Sequence, residues 1–283
     1  MAGLAWEQKP ALRHPVLVAG FEGWNDAASA ASQAAGWLTG RFGATKIASI
    51  DPEEHFDFQS VRPTVELVDG VTHGLMWPAN EFFAVPLEAR DLVVVRGVEP
   101  NLRWHAFCHD VLNVASETRC EMVVTLGALL ADVPHTRPVR VTGATTDPDL
   151  MARLGLQRSR YEGPTGIVGV LHDTARAAGV VSASLWAPVP HYVSTPPNPL
   201  AMRALLDRLG QLVGTPFELG ALDEQAREWR TRVDEVVSQD DEVRTYVGQL
   251  EERYDAEAEA DVPSGETLAA EVEEFLRDQP EDG

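Results

Sequence analysis

One stretch, His14 to Gly40, limits the architectures open to this chain more than any other. It begins His-Pro-Val-Leu-Val-Ala-Gly, an apolar run of the kind that forms a strand buried on both faces. Phe21-Glu22-Gly23-Trp24-Asn25-Asp26 follows, then a small-residue segment, 27–38, with helical propensity and no proline. A strand, a tight turn and a helix are therefore expected in immediate succession. In open α/β sheets ligands bind beyond the carboxyl ends of strands, so the turn from Glu22 to Asp26 is the first place to look for a site. The simpler reading, that Asn25 or Asp26 only caps the helix, stands beside it.

The rest of the chain repeats this alternation. Residues 45–50 read as a strand ending at Asp51-Pro52, and 82–85 and 91–96 as further strands. A helix is expected over 101–116, the clearest central strand over 122–126, and a short strand over 139–143. Asp147 can cap a short helix, 147–154, with Pro148 in its first turn. A helix over 167–178 ends at Gly179, a last core strand covers 181–187, and Pro199 opens a helix to about 213. Strands alternating with helices argue for a largely parallel sheet covered on both faces.

Two regions interrupt the alternation. Segments 63–68 and 72–77 flank Asp69-Gly70-Val71, a hairpin signal. A hairpin rich in Val, Leu, Met and Trp exposes an apolar patch and an unpaired edge, which a second subunit would cover. Beyond Gly214 the pattern is helical without strands, with helices expected over 216–237, 240–258 and 264–276 and an apolar stripe that includes Leu222, Trp229 and Val233. The expected organisation is a core over 1–213, with the hairpin inserted at about 63–77, and an acidic helical region over 214–283.

With 283 residues and 44% hydrophobic content, the chain can bury a full core. Its net charge of -21 is uneven: residues 211–283 hold 22 acidic and 6 basic side chains, against 22 and 17 in residues 1–210. Such a chain is repelled by phosphate backbones and anionic lipid, so neither nucleic acid nor a membrane is an expected partner. No segment has the roughly 18 consecutive apolar residues of a membrane span, and the amino-terminal residues lack a signal-peptide pattern, so a cytoplasmic location is expected. Cys108 and Cys120 form no zinc or redox motif.

No complete chemical signature is present. A Walker loop, a dinucleotide fingerprint, a Gly-x-Ser-x-Gly elbow and a His-Glu-x-x-His helix are all missing. His105, His109 and Asp110 share a helix but have no evident third partner, so neither a metal nor a cofactor is expected. The turns after the expected strands nevertheless converge on one sheet edge. Glu22, Trp24, Asn25, Asp26, Asp51, Glu99, His135, Arg137 and His191 are the candidate ligand-binding residues there, offering acid/base groups and an Arg for an anionic substrate. No residue among them is assigned a catalytic role.

The same turns carry a resemblance. Phe21-Glu22-Gly23-Trp24-Asn25-Asp26-Ala27, Asp51-Pro52-Glu53 with Phe56-Asp57-Phe58 and Arg62-Pro63, Arg96-Gly97-x-Glu99-Pro100, Leu126-Gly127-Ala128 and Gly163-Pro164-Thr165-Gly166 together resemble the proteasome assembly chaperone 2 (PAC2) family in its actinobacterial branch, over about residues 14–213. The resemblance implies a three-layer α/β/α core like those of purine nucleoside phosphorylases and peptidyl-tRNA hydrolases. It also implies a homotrimer joined partly through the inserted hairpin, and a C-terminal helical lid over a ligand pocket. Archaeal and eukaryotic relatives dock on proteasome rings through a hydrophobic-Tyr-any residue tail. This sequence closes on Gln279-Pro280-Glu281-Asp282-Gly283, so docking by that route is not expected.

Two functions stay open at this point. One is a non-catalytic assembly or scaffold protein that binds protein partners, proteasome-related ones among them. The alternative is a hydrolase-like or phosphorylase-like enzyme whose crevice binds a small molecule. Fold similarity alone does not choose between them.

Overall fold

The computed structural model describes residues 3–69, 71–154, 157–158 and 162–260. The helix expected over 264–276 lies outside these. Strand β1 (Leu4–Trp6) precedes β2 (Val16–Glu22), the buried apolar run, which leads through a kinked turn into α1 (Ala30–Arg41) and β3 (Thr45–Ile50). The hairpin strands are β4 (Thr64–Val68) and β5 (Val71–Met76); β6 (Asn80–Pro86) and β7 (Asp91–Val98) return the chain to the sheet. Next come α2 (Trp104–Glu117), β8 (Met122–Ala131), β9 (Thr142–Thr145), α3 (Pro148–Leu154) and the two-residue β10 (Gln157–Arg158). Helix α4 (Ile167–Ala177), β11 (Ser182–Pro190) and α5 (Pro199–Val213) complete the core, and α6 (Gly220–Ser238) and α7 (Asp241–Ala260) follow.

Nine strands form one sheet in the order β1-β3-β6-β7-β2-β8-β11-β9-β10. Its centre, β7-β2-β8-β11, is parallel, and antiparallel pairings bring β6, β3 and β1 onto one flank and β9 onto the other. The pairing directions leave β3, β7, β2, β8 and β11 all running the same way, so their carboxyl ends share one edge. This is the convergence that the sequence pattern implies.

Alternation along β2 divides the interior in two. Val16 and Val18 face α1 and α5, whereas Leu17, Ala19 and Phe21 face α2 and α4. Helices on both faces make the three-layer α/β/α arrangement, because parallel strands buried on both sides need cover on both sides. Phe107 of α2 is fully buried and meets Phe21 edge-on at 5.6 Å. Helix α6 extends the first interior through Leu222, and with α7 it builds a smaller cluster around Trp229, Val233, Val237 and Val247.

Several local expectations shift. The strand expected over 139–143 lies at 142–145 and pairs antiparallel with β11, because its neighbours are set by the sheet rather than by its own short run. Strands β1 and β10 carry too few residues for a periodic signal. Helix α6 starts at Gly220 rather than near 216. Asp147 does cap α3, its Oδ1 accepting from the backbone N–H groups of Asp149 and Leu150.

Phe107→Ala should cost about 3–5 kcal/mol in urea unfolding, the usual cost of an aromatic-sized cavity. Val236→Ala, at an exposed position of α6, should stay within about 0.5 kcal/mol of the parent.

Candidate functional site

The nine candidate residues fall into three groups along the carboxyl edge. Glu22, Trp24, Asn25, Asp26 and Glu99 come together where β2 and β7 end. Glu99 is their hub. Its Oε1 accepts from Asn25 Nδ2 at 3.0 Å and from the backbone N–H of Ile167 at 2.8 Å, and its Oε2 accepts from the Trp24 N–H at 3.1 Å. Its own N–H donates to the Glu22 carbonyl. One carboxylate thus joins the β2–α1 turn to the first residue of α4, where free backbone donors and the helix dipole favour a negative charge.

The glycines around this hub explain the short motifs that contain them. A Cβ on Gly166 would collide with Asn25 Nδ2 and Glu99 Oε1, and one on Gly97 would run into the Ala79 carbonyl oxygen. Gly23, at φ +138°, sits against the Glu99 side chain in a backbone region that favours glycine.

Asp26 is a cap, as the simpler reading held, but across a kink. Ala28 and Ser29 have left-handed backbone angles, so the Asp26 carboxylate reaches past them to accept from Ala31 N–H at 2.7 Å and Ser32 N–H at 3.1 Å. Burial raises its pKa above the usual 3.8 even though these bonds oppose the shift. Asn25 is buried too, its carbonyl accepting from Ala128 N–H of β8, and its Oδ1 has no hydrogen-bond partner. The Trp24 indole stands out from the edge, 63% exposed. Asp51 belongs to neither larger group: its Oδ1 caps a 3-10 turn by accepting from Glu53 N–H at 3.0 Å.

His135, Arg137 and His191 form the third group, and what they meet is the helical region. His135 is 2% exposed; its backbone N–H donates to Tyr192 Oη at 2.9 Å, and its Nδ1 lies 2.8 Å from the same oxygen. Its Nε2 is 2.9 Å from Asp234 Oδ1 of α6. The Nε2–H tautomer satisfies every member, with Tyr192 donating to Nδ1 and Nε2 donating to Asp234. Burial pushes the Tyr192 hydroxyl up to about 12, which keeps it protonated for that role. Arg137 forks onto Asp255 of α7 at 2.9 and 2.7 Å and also reaches Glu251 at 3.2 Å. His191 Nδ1 lies 3.1 Å from Asp132, which also accepts from Tyr246 of α7. The crevice beside His135 and Arg137 holds only about 10 Å³, too little for more than a water-sized guest.

The partners Tyr192, Asp234, Glu251 and Asp255 had no individual sequence signal: an acidic helix reads as a solvated face, and nothing local says which acid meets which base. A separate cleft of about 550 Å³ also went unread. It lies between β1 and the start of α2, beside buried His55, whose Nε2 is 3.7 Å from Asp110 Oδ2, and the Glu54–Arg103 ion pair. Among the described residues, no three His, Cys, Asp or Glu side chains converge in a way that could hold a metal ion, and no helix is long and apolar enough to cross a membrane.

Glu99→Gln places an amide N–H₂ against backbone donors and should cost about 1–3 kcal/mol, with faster amide exchange at the start of α4. For the helical region, the Arg137 hydrogen bond is the main influence holding the Asp255 carboxyl below its usual 3.8. A depressed acid pKa stabilises the docked state above the unfolded value and is lost as pH falls through the folded one. Helix α7 should therefore loosen in acid only below the ordinary Asp range. At neutral pH Arg137→Gln should raise amide exchange over 241–260 while leaving the sheet protected.

A PAC2 family model matches residues 20–237. A PAC2 family protein from Streptomyces avermitilis is 50% identical, with a TM-score of 0.77 over 82% of this chain and 99% of that one. A proteasome-assembly chaperone homologue from Mycobacterium tuberculosis is 45% identical, with the same TM-score and the same coverage of both chains. An archaeal proteasome activator from Pyrococcus furiosus, 20% identical, shares the fold at a TM-score of 0.68 over 83% of this chain and 99% of its own. No curated protein matches the sequence. The match to the family model over most of the chain, and the 45–50% identity to family members along nearly their whole length, establish that this chain belongs to the PAC2 family.

Proposed function

We propose that this chain is a cytoplasmic, non-catalytic homotrimer that binds protein partners in proteasome assembly or activation. The observation that carries the reading is that the polar groups beyond β2, β7 and β8 are engaged within the chain. Where an enzyme on such a sheet keeps its reactive groups open to a substrate, Glu99 here spends its carboxylate on three N–H groups, and His135 and Arg137 spend theirs on α6 and α7. The description of the Mycobacterium tuberculosis relative as a proteasome-assembly chaperone homologue supports the choice of partner.

The β4–β5 ribbon supports self-association. It stands outside the main sheet, with Val65, Leu67, Val71, Leu75 and Met76 all more than half exposed. Val65 and Leu75 are cross-strand partners, and Trp77 at the base is held edge-on by Phe58 at 4.8 Å. An apolar two-stranded ribbon is marginal in water by itself and gains cover from a second copy of the chain.

The competing reading, a small-molecule enzyme at the carboxyl edge, draws on the buried Asn25 Oδ1, which has no hydrogen-bond partner among the described residues, and on the cleft beside His55. Native mass spectrometry of protein purified gently from its own host separates the two. Three chains carrying proteasome subunits are expected, and Val65→Asp with Leu75→Asp should reduce the trimer to monomers that remain folded. A wild-type monomer overturns the oligomer, and a trimer without attached protein that releases a small molecule on denaturation, the release being abolished by Asn25→Ala, overturns the non-catalytic reading.

A further inference from the structure

Helices α5 and α6 enclose an open cleft of about 570 Å³, within the range of small-molecule sites. Its charge runs against the rest of the chain. In a protein with 44 acidic and 23 basic residues, this cleft is lined by Arg203, Arg208, Arg227 and Arg230 against only Asp207 and Asp223. Helical spacing contributes: 203 and 207 share one face of α5 with 208 beside them, and 223, 227 and 230 share one face of α6. Val139, Val141 and Leu200 supply an apolar wall.

The arginines differ in how far they are already engaged. Arg203 pairs with Asp223, Arg227 with Glu224, and Arg208 donates to Gln211 at 3.1 Å. Arg230 forms no ion pair among the described residues, and its Nε is buried with no hydrogen-bond partner. A half-buried guanidinium that lines a cleft and has no carboxylate partner among the described residues favours an anion entering that cleft. Guanidinium forks arranged around an apolar wall suit a phosphate group attached to a carbon skeleton better than a bare cation or a neutral polar ligand.

We infer that the α5–α6 cleft is a binding site for a small phosphorylated molecule, with the half-buried Arg230 as its anchor. The site adjoins the His135–Arg137 crevice, sharing Val139 and Leu200 with it, and includes neither Glu99 nor its partners. It goes beyond the assembly role proposed above, and it rests on the cleft's own geometry whatever oligomer forms.

Titration calorimetry on the full chain tests it, with inorganic pyrophosphate and AMP as probes and citrate as a non-phosphate anion. Saturable, salt-sensitive binding of pyrophosphate or AMP is expected. Arg230→Gln should weaken it at least about tenfold, the worth of one charge-assisted hydrogen bond. Arg176→Gln, on the exposed face of α4, should leave it unchanged. Asp207→Asn, which removes a lining negative charge without touching Arg230, should tighten binding a few-fold and keeps the test decisive should Arg230→Gln fail to fold. Absence of saturable binding at millimolar probe overturns the inference. So does binding of citrate alone, or binding that is indifferent to both cleft substitutions.

Discussion

The carboxylate of Glu99 is the interaction on which the carboxyl edge depends. Three backbone and side-chain donors, separated by up to 143 residues of sequence, find their acceptor in one group. The β2–α1 turn and the start of α4 are each short of hydrogen-bond partners by construction, because turns and helix N-termini leave N–H groups free. Bringing both to a single anion just beyond the end of β7 satisfies them and ties the turn to α4. Gly23 and Gly166 are then small because Glu99 and Asn25 occupy the space a side chain would need, whereas Gly97 makes room for the Ala79 carbonyl and Asn80.

A second constraint governs the acidic helices. Sixteen of the chain's excess negative charges fall after residue 210, and such a region could as easily remain solvated as pack. Here α6 and α7 pack against the few bases that the loop after β8 presents. Trp229, Val233, Val237 and Val247 provide the apolar contact, while Asp234, Glu251 and Asp255 meet His135 and Arg137 at its rim. Exposed ion pairs contribute little individually. Their effect is to choose which of several acidic faces lies against the core.

What these contacts leave unsatisfied is informative. The apolar β4–β5 ribbon is exposed among the described residues, and the arginine cleft concentrates positive charge in an acidic protein. In the proposals above the first faces another protein surface and the second a small anion, and neither includes Glu99 or its partners.

Periodicity and punctuation determined the strand–helix alternation, the hairpin, the cap at Asp147 and the start of α5 at Pro199, since each depends on residues within one or two turns of chain. The ordered turn motifs were enough to point to the family. The tertiary structure decided the rest. It alone paired β9 antiparallel to β11, sent the Asp26 carboxylate across a kink to Ala31 and Ser32, and gave His135 and Arg137 to the acidic helices rather than to an open crevice. The physical reason is the same in each case: a charged or polar side chain has many chemically equivalent partners in sequence, and only the packing of distant segments brings one of them within 3 Å.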